Sequence, residues 1–307
     1  MRGSRAAGEV TIAMRVVTLA TLGILALPLG ATELRAQRAR LAISPERPMP
    51  GAIVRLTLSN ADDARDSVVA VDGSMAGEPL HFVRSRGVYR AIGAVPVDSA
   101  GEVSAHTIVT RASGRADTLV ASVTTPPLPP PAEKLDVAPR FGRPLGAATA
   151  ARVAREVQRA HEAGRRAHDS PPRWTTPFMR PRTSAISSRF GAGRTFNGQV
   201  SSRHLGVDFR GAVGAPVHAA NRGVVVLVDT FYLGGRVVYL DHGGGITTAY
   251  LHLSKALVAP GDTVARGQTI GLVGATGRVT GPHLHWAARY GAITVNPLDL
   301  LELTTER

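Results

Sequence analysis

A proline-rich run at residues 124–131 interrupts the chain and separates two regions that are rich in short β-strand patterns. Proline fixes φ and has no backbone N–H to donate, so such a run favours an extended spacer over a helix or a sheet. The 307 residues are enough for two domains, since a domain has roughly 100–200 residues. We therefore predict two folded modules that are joined by this segment.

The first β-rich region, residues 38–125, alternates apolar or β-branched stretches with turn residues such as Asp72-Gly73. Short strands that recur with turns between them predict a β-sandwich, and this length suits an immunoglobulin-like domain. His81 and His106 are isolated histidines of this region, which we interpret as structural. The predicted strands are residues 53–58, 67–71, 80–83, 88–92, 107–109 and 118–123.

Between the two modules, residues 147–163 are rich in Ala, Arg and Glu and contain no proline, which predicts a helix. Gly164 and the pair Pro171-Pro172 would end it. We assign residues 126–182 to a linker and this helix, which connects the modules or packs on the second one. Occlusion of a cleft is an alternative role for the helix.

The first 36 residues resemble a secretory signal, because several arginines accompany an apolar run at residues 16–29. The run is short for a transmembrane helix, and an uncleaved N-terminal membrane anchor is the alternative interpretation. We therefore expect residues 1–36 to direct export to the periplasm or cell envelope. The chain has no cysteine, so it does not use the disulfides that such a compartment permits.

The formal net charge is +13 at pH 7 and comes almost entirely from arginine. Such a charge favours anionic partners, for example anionic cell-envelope polymers, although a GC-rich coding sequence would give the same excess of arginine. No basic run is interleaved with aromatic residues, and aromatic residues make up only 5% of the chain. The composition therefore argues against nucleic-acid binding.

The second β-rich region contains four histidines and one aspartate in a pattern that suits a metal site. Zinc takes imidazole nitrogen and carboxylate oxygen as ligands and keeps a position for water in catalytic sites. On a strand, His283 and His285 would point to the same face. A straight strand would hold His204 and Asp208 ~13 Å apart at ~3.3 Å per residue. We therefore predict that Gly206 allows a bend between them.

This pattern is part of a longer series of motifs in a fixed order, and the series resembles the lysostaphin-type (LytM-type) zinc endopeptidases. The resemblance covers about residues 183–300, and no motif position departs from it. The motifs are Ser187-Ser188-Arg189-Phe190-Gly191, His204-x-x-x-Asp208, Tyr250-Leu251-His252-Leu253-Ser254, Gly261-Asp262-x-Val264-x-x-Gly267-Gln268-x-Ile270-Gly271 and Thr280-Gly281-Pro282-His283-Leu284-His285.

The resemblance implies three ligands for one zinc ion per chain, namely His204, Asp208 and His285. His252 and His283 are then the catalytic pair beside the metal. Residues 183–303 are implied to form an open, β-barrel-like peptidase domain. The predicted fold is thus mainly β, with an N-terminal immunoglobulin-like β-sandwich and a C-terminal peptidase domain joined by the proline-rich linker and the helix.

The function implied by the resemblance is that of a secreted zinc metalloendopeptidase, which cleaves peptide bonds of bacterial peptidoglycan at cross-links or in stem peptides. A metal-activated water would attack the peptide carbonyl. The histidine pair would transfer the protons, in an order that the sequence leaves open. Residues 231–235 and 274–277 are the predicted walls of the substrate groove.

Two other functions are compatible with parts of the pattern. A non-catalytic relative would bind and activate a cell-wall amidase, but such proteins typically lose metal ligands that this chain retains. Residues 261–271 also resemble a stretch of lipoyl or biotinyl carrier domains. Those domains need a lysine in an exposed hairpin, and Lys255 lies outside such a hairpin.

Overall fold

The computed structural model describes residues 38–63 and 65–303. The described residues are mainly β-strand with one long α-helix, which confirms the predicted fold class. None of the helices in this part of the chain is long and apolar enough to cross a membrane. The predicted signal peptide or membrane anchor, residues 1–36, lies outside the described residues.

Nine of the described strands precede the helix. They are β1 (Arg40–Ser44), β2 (Ile53–Ser59), β3 (Val68–Met75), β4 (Glu78–Pro79), β5 (Val83–Ser85), β6 (Val88–Ala94), β7 (Gly101–Arg111), β8 (Ala116–Thr125) and β9 (Glu133–Leu135). The helix α1 (Ala147–Arg166) is preceded by a short 3-10 helix, Pro139–Phe141, and followed by another, Ala167–Asp169.

Twelve described strands follow the helix. They are β10 (Ile186–Ser188), β11 (Gly193–Phe196), β12 (Val200–Arg203), β13 (Val207–Arg210), β14 (Pro216–His218), β15 (Gly223–Phe231), β16 (Gly235–Gly243), β17 (Ile246–Ala256), β18 (Thr263–Val264), β19 (Thr269–Val273), β20 (His283–Tyr290) and β21 (Ile293–Val295). A third 3-10 helix, Pro297–Glu302, comes after β21.

Two four-stranded sheets form a β-sandwich around a shared apolar core. Their strand orders are β1-β2-β6-β5 and β4-β3-β7-β8. In β7 the side chains alternate between buried and more exposed, because successive residues of a strand point to opposite faces. Leu56 and Leu58 of one sheet meet Met75 of the other in the core. The predicted sandwich is confirmed, whereas its immunoglobulin-like class stays a prediction.

The stretch predicted as a strand at residues 80–83 is instead a crossing between the two sheets. Residues 80–82 are not in a strand, and β5 begins only at Val83. The preceding strand β4 belongs to one sheet and β5 to the other. Leu80 is buried in the shared core, so its apolar character serves packing and not strand pairing.

A ten-stranded antiparallel sheet forms most of the region after the helix. Its main path is β10-β13-β20-β17-β16-β15-β18, and β14, β19 and β21 pair beside this path. Within the described residues β10 and β18 do not pair, so the sheet is open, as predicted. Large side chains such as Trp286, Tyr250 and Phe209 fill its core. Ile53 and Ala94 of the sandwich pack into the same core, and both sheet systems are parts of one compact unit.

Strand β20 separates this core from a surface cleft. Along its whole length, buried residues alternate with partly exposed ones. Leu284 and Trp286 are completely buried in the core, whereas His283 and His285 lie on the opposite face and line the cleft. The prediction that the two histidines share one face of a strand is confirmed.

The helix α1 packs on the large sheet, which agrees with the predicted packing of this helix on the second module. Ala160 lies in a small apolar cluster with side chains of β15, β16 and β17. The backbone N–H of Tyr232 donates to the buried carboxylate of Glu156, with a distance of 2.8 Å to Oε2. At Gly164 a Cβ would overlap the carbonyl oxygen of Gly291, so glycine allows the helix to approach the sheet closely.

A partly buried chain of hydrogen bonds joins the sandwich to the region that follows it. His168 Nε2 lies 3.1 Å from Glu78 Oε2, and His81 Nε2 lies 2.8 Å from His168 Nδ1. A carboxylate can only accept, so we assign the N–H to His168 Nε2, which leaves its Nδ1 to accept from His81. Glu78 Oε1 also accepts from the N–H of Ala292 at 2.9 Å. His81 is therefore not the isolated histidine that the sequence indicates.

Folding lowers the pKa of both histidines below the ordinary value of 6.5. Burial is the main cause for each, and Glu78 partly offsets it for His168. The folded state therefore disfavours protonation, so the stabilising contribution is complete above pH ~6.5 and is lost as the pH falls below it.

We expect the melting temperature to fall on acidification from pH ~7 to ~5, and His81→Gln to reduce this acid-dependent part. At neutral pH the same variant should lower the free energy of unfolding by about 1–3 kcal/mol, because His168 loses its hydrogen bond with His81. Scanning calorimetry at several pH values measures both effects. The exposed His106 is the matched control, and His106→Gln should follow the wild type. An unchanged acid dependence in His81→Gln would contradict the assignment.

Candidate metal centre

The bend between β12 and β13 brings His204 next to Asp208. The chain bends at Gly206, as predicted. In the pairing of β13 with β20, Asp208 lies directly opposite His285. A Cβ at Gly206 would lie 2.5 Å from His285 Nε2, so glycine is needed for this close approach.

Three ligand-type atoms converge here, and we call His204, Asp208 and His285 the metal triangle. His204 Nε2 and His285 Nδ1 each lie 2.9 Å from Asp208 Oδ1, and 3.0 Å from each other. A tetrahedral zinc ion with bonds of about 2.0–2.1 Å holds neighbouring ligands roughly 3.3 Å apart. The triangle therefore has nearly the dimensions of one face of such a site, and its three residues could hold one metal ion.

The protons of the triangle also suit a cation. His204 Nδ1 lies 2.8 Å from the carbonyl oxygen of Arg189, which can only accept, so we assign the N–H to Nδ1 and a lone pair to Nε2. His204 Nε2 and Asp208 Oδ1 then direct lone pairs at the same point, and buried acceptors in such a position need a proton or a cation between them.

Burial shapes the charge of the other two members of the triangle. It lowers the pKa of His285 to about 4, so the ring is neutral near pH 7 and can offer a lone pair. Burial alone would raise the pKa of Asp208, but hydrogen bonds from His204 and His285, which need a proton between the paired atoms, hold it well below its ordinary value. The carboxylate is therefore ionised, and the triangle combines one carboxylate oxygen with two imidazole nitrogens.

Arg194 occupies the second oxygen of the Asp208 carboxylate. Its Nη2 lies 2.7 Å from Asp208 Oδ2, and its Nε lies 2.9 Å from Glu133 Oε2. Ser188 Oγ donates to Glu133 Oε1 at 2.9 Å. Glu133 lies in β9, which pairs in parallel with β11. Nothing in the sequence marked Arg194 or Glu133, because their contact joins the predicted linker to a distant strand.

Two more imidazoles stand beside the triangle, and we call His252 and His283 the histidine pair. Their ring centroids are 4.9 Å apart, and His283 Nε2 lies 3.7 Å from Asp208 Oδ1. Each Nδ1 lies 2.8 Å from a backbone carbonyl oxygen, that of Thr276 for His252 and that of Gly281 for His283. We therefore assign the N–H to Nδ1 in both rings, which leaves both Nε2 lone pairs for other partners.

His252 is held in an unusual backbone conformation. Its φ of 62° lies in the left-handed region, which costs a non-glycine residue about 1–3 kcal/mol. The residue lies where β17 changes partners, since Leu251 pairs with His285 of β20 and Leu253 pairs with Val273 of β19. Burial, and next the nearby His283, lower the pKa of His252 well below its ordinary value. His252 is therefore a neutral imidazole near pH 7.

All five side chains line one open cleft with a volume of about 710 Å³. Leu233 and Gly234 line it, in agreement with the predicted wall at residues 231–235. The other predicted wall, residues 274–277, does not reach the cleft surface, and residues 278–282 line the cleft instead. Thr276 lies behind His252 and orients its ring.

The part of the chain that carries these side chains is similar in sequence to known peptidases. Residues 202–297 match the model of peptidase family M23. The chain is 52% identical over 83 residues to the peptidoglycan DD-endopeptidase ShyA of Vibrio cholerae, which is 27% of this chain and 19% of ShyA. It is 41% identical over 103 residues to the DD-carboxypeptidase/endopeptidase Mpg of Neisseria meningitidis, which is 34% of this chain and 24% of Mpg. The matched regions thus span only about a fifth to a quarter of these relatives.

A solved structure shows similarity over more of the chain. It is assigned to peptidase M23 of Pseudomonas aeruginosa and superposes with a TM-score of 0.61 at 27% sequence identity. The match covers 83% of this chain and 95% of that one. The structural similarity therefore extends well beyond residues 202–297.

We expect His204→Ala to abolish metal binding and His283→Ala to retain it. Of these two histidines, His204 belongs to the metal triangle and His283 does not. Elemental analysis of the full-length protein after zinc loading and dialysis measures this, with about one zinc per chain expected for the wild type and for His283→Ala. Stoichiometric zinc in His204→Ala would contradict the proposed ligand set.

We expect Arg194→Gln to weaken zinc affinity by about 10–100-fold, the usual effect of removing a partner that orients a ligand. Competition with a chromophoric chelator measures the affinity. Arg155→Gln, at an exposed position of α1, is the control and should bind zinc as the wild type does. Equal affinities in all three proteins would show that Arg194 does not orient Asp208.

Proposed function

We propose that this protein, whose residues 202–297 match the model of peptidase family M23, is a secreted zinc metalloendopeptidase that hydrolyses peptide bonds of bacterial peptidoglycan. The observation that carries the proposal is the metal triangle with the histidine pair beside it, all in one open cleft. Five side chains from β13, β17, β20 and the loop before β13 meet there. Such an arrangement suits metal-assisted hydrolysis.

In this proposal the metal triangle holds one zinc ion per chain. Imidazole nitrogen and carboxylate oxygen are ligands that zinc takes readily, and three protein ligands are typical of catalytic zinc. Bound zinc would polarise the peptide carbonyl and lower the pKa of a water molecule. Arg194 keeps Asp208 Oδ2 occupied, which would leave Oδ1 to hold the ion.

The histidine pair provides the proton transfers of the reaction. The carbonyl groups of Thr276 and Gly281 hold both rings with Nδ1 protonated, so each Nε2 can accept a proton and afterwards donate it. The low pKa of His252 keeps it neutral near pH 7, which is the state that a general base requires. A protonated imidazole of the pair would donate to the developing oxyanion or to the leaving amine.

The substrate and location are inferred from several observations together. The matched relatives ShyA and Mpg are named for cleavage of peptidoglycan or for carboxypeptidase and endopeptidase activity, and the open cleft can admit a peptide strand. The arginine-rich composition favours anionic envelope polymers as additional partners. The predicted export signal would place the enzyme in the periplasm or cell envelope, where this substrate is found.

The alternative is a non-catalytic protein that activates a cell-wall amidase. Such a protein needs neither the complete triangle nor the pair of imidazoles beside it. Here both are present, and the strained φ of His252 is retained although it costs stability. These features favour the enzyme.

We expect the zinc-loaded full-length protein to release soluble peptides from purified sacculi, and His283→Ala to release at least ~100-fold less, because one proton-transfer group is lost. Mass spectrometry of the products identifies the bond that is cleaved. His252→Asn tests the second imidazole, since asparagine tolerates the left-handed conformation, and it should be equally impaired.

His106→Ala is the control and should digest sacculi as the wild type does, because His106 is exposed on strand β7 of the sandwich and is not among the residues that line the cleft. Full activity of His283→Ala with zinc bound would overturn the role of the histidine pair. A wild-type protein that contains zinc and releases nothing would overturn the hydrolase proposal.

A further inference from the structure

Arg278 lies in the cleft wall, and none of the described carboxylates serves as its counterion. Its guanidinium stacks on the ring of Phe196, with Cζ 4.0 Å from the ring centroid. Burial, and next the charge of Arg194, lower its pKa to about 10, so it is still a cation near pH 7. Its side chain is only partly exposed. A guanidinium carries five N–H donors in a fork that matches a carboxylate.

No carboxylate of the cleft is available to neutralise Arg278. The two carboxylates of the cleft wall, those of Glu133 and Asp208, are both held by Arg194. Lys134, Arg203 and Arg210 add further positive charge around the opening. The cleft is therefore electropositive, and it would attract an anionic group from a bound ligand.

The backbone that carries Arg278 is fixed against the histidine pair. The N–H of Arg278 donates to the carbonyl oxygen of Leu233 at 2.9 Å. At Gly277 a Cβ would overlap backbone atoms of Leu233 and Gly235, so the two loops are packed tightly. Thr276, two residues earlier, accepts from His252 Nδ1. One rigid segment thus carries both the support of a catalytic imidazole and the unpaired guanidinium.

We propose that Arg278 binds a free carboxylate of the peptide substrate and makes the enzyme selective for anionic peptides. The inference rests on the proposed peptidase function and narrows its substrate class. A stem peptide with free carboxylates would be bound and positioned by Arg278, whereas a neutral bridge of glycines would leave the guanidinium unpaired. A buried polar group that stays unpaired in the wrong complex is a strong source of discrimination. Phe196 holds the guanidinium flat, which prepares it for a bidentate contact.

The test compares two forms of one substrate. The first is a cross-linked stem-peptide dimer purified from sacculi, and the second is the same dimer with its free carboxylates converted to carboxamides. For the wild type we expect kcat/KM to be about 10–100-fold higher for the carboxylate form, the usual size of a charged hydrogen-bonded contact. Equal values for the two forms would overturn the proposal.

Variants at Arg278 identify the residue responsible. Arg278→Gln should lose the preference, mainly through a higher KM for the carboxylate form, and should treat the amidated dimer as the wild type does. Arg278→Lys keeps a charge without the planar fork, so an intermediate preference is expected. Arg155→Gln is the matched control and should keep the full preference. Retention of the full preference by a folded Arg278→Gln protein, as checked by its melting temperature, would overturn the proposal.

A binding measurement separates this inference from the proposed function. Calorimetric titration of the full-length His283→Ala protein with each dimer needs no turnover. Tighter binding of the carboxylate form that depends on Arg278 supports the inference even if the wild type cleaves neither dimer, in which case only the hydrolase proposal fails. Equal binding of both dimers overturns the inference.

Discussion

Three lone-pair donors lie about 3 Å apart in this protein, and the rest of the site depends on holding them there against their mutual repulsion. No single local element can do this. The pairing register of two strands places Asp208 opposite His285, and a glycine bend returns His204 to the same point. On the other face of β20, completely buried side chains such as Trp286 anchor the strand in the core. The core therefore supplies the rigidity that the donors need.

Around the donors, hydrogen bonds fix which polar atoms are occupied and which stay available. Arg194 takes one oxygen of Asp208 and leaves the other. Backbone carbonyls take the Nδ1 protons of His204 and of the histidine pair. This matters chemically, because an imidazole can coordinate a metal or accept a proton only through an unprotonated nitrogen. The backbone thus sets the protonation pattern of the cleft before any ligand enters it.

Sequence reasoning reached the features that are local or periodic. The alternation of a strand places His283 and His285 on one face, and Gly206 marks the bend. It did not reach the contacts between distant segments. Arg194 with Glu133, and His81 with His168, have no spacing or motif that announces them, because each contact depends on how separate strands and loops pack. The prediction of a strand at residues 80–83 was wrong for a related reason. Leu80 is buried where the chain crosses between the two sheets, and not in a paired strand.

The short strand β9 determines where this chain can be cut and fused to another domain. Through its hydrogen bonds to β11 and the carboxylate of Glu133, β9 makes a piece of the connecting segment part of the support of the metal triangle. A fragment that began at residue 183 would leave Arg194 with one carboxylate partner and would expose the edge of β11, which invites association with other strands. A fragment that is meant to keep the metal triangle intact should therefore begin before β9. A foreign targeting domain is best fused upstream of residue 132.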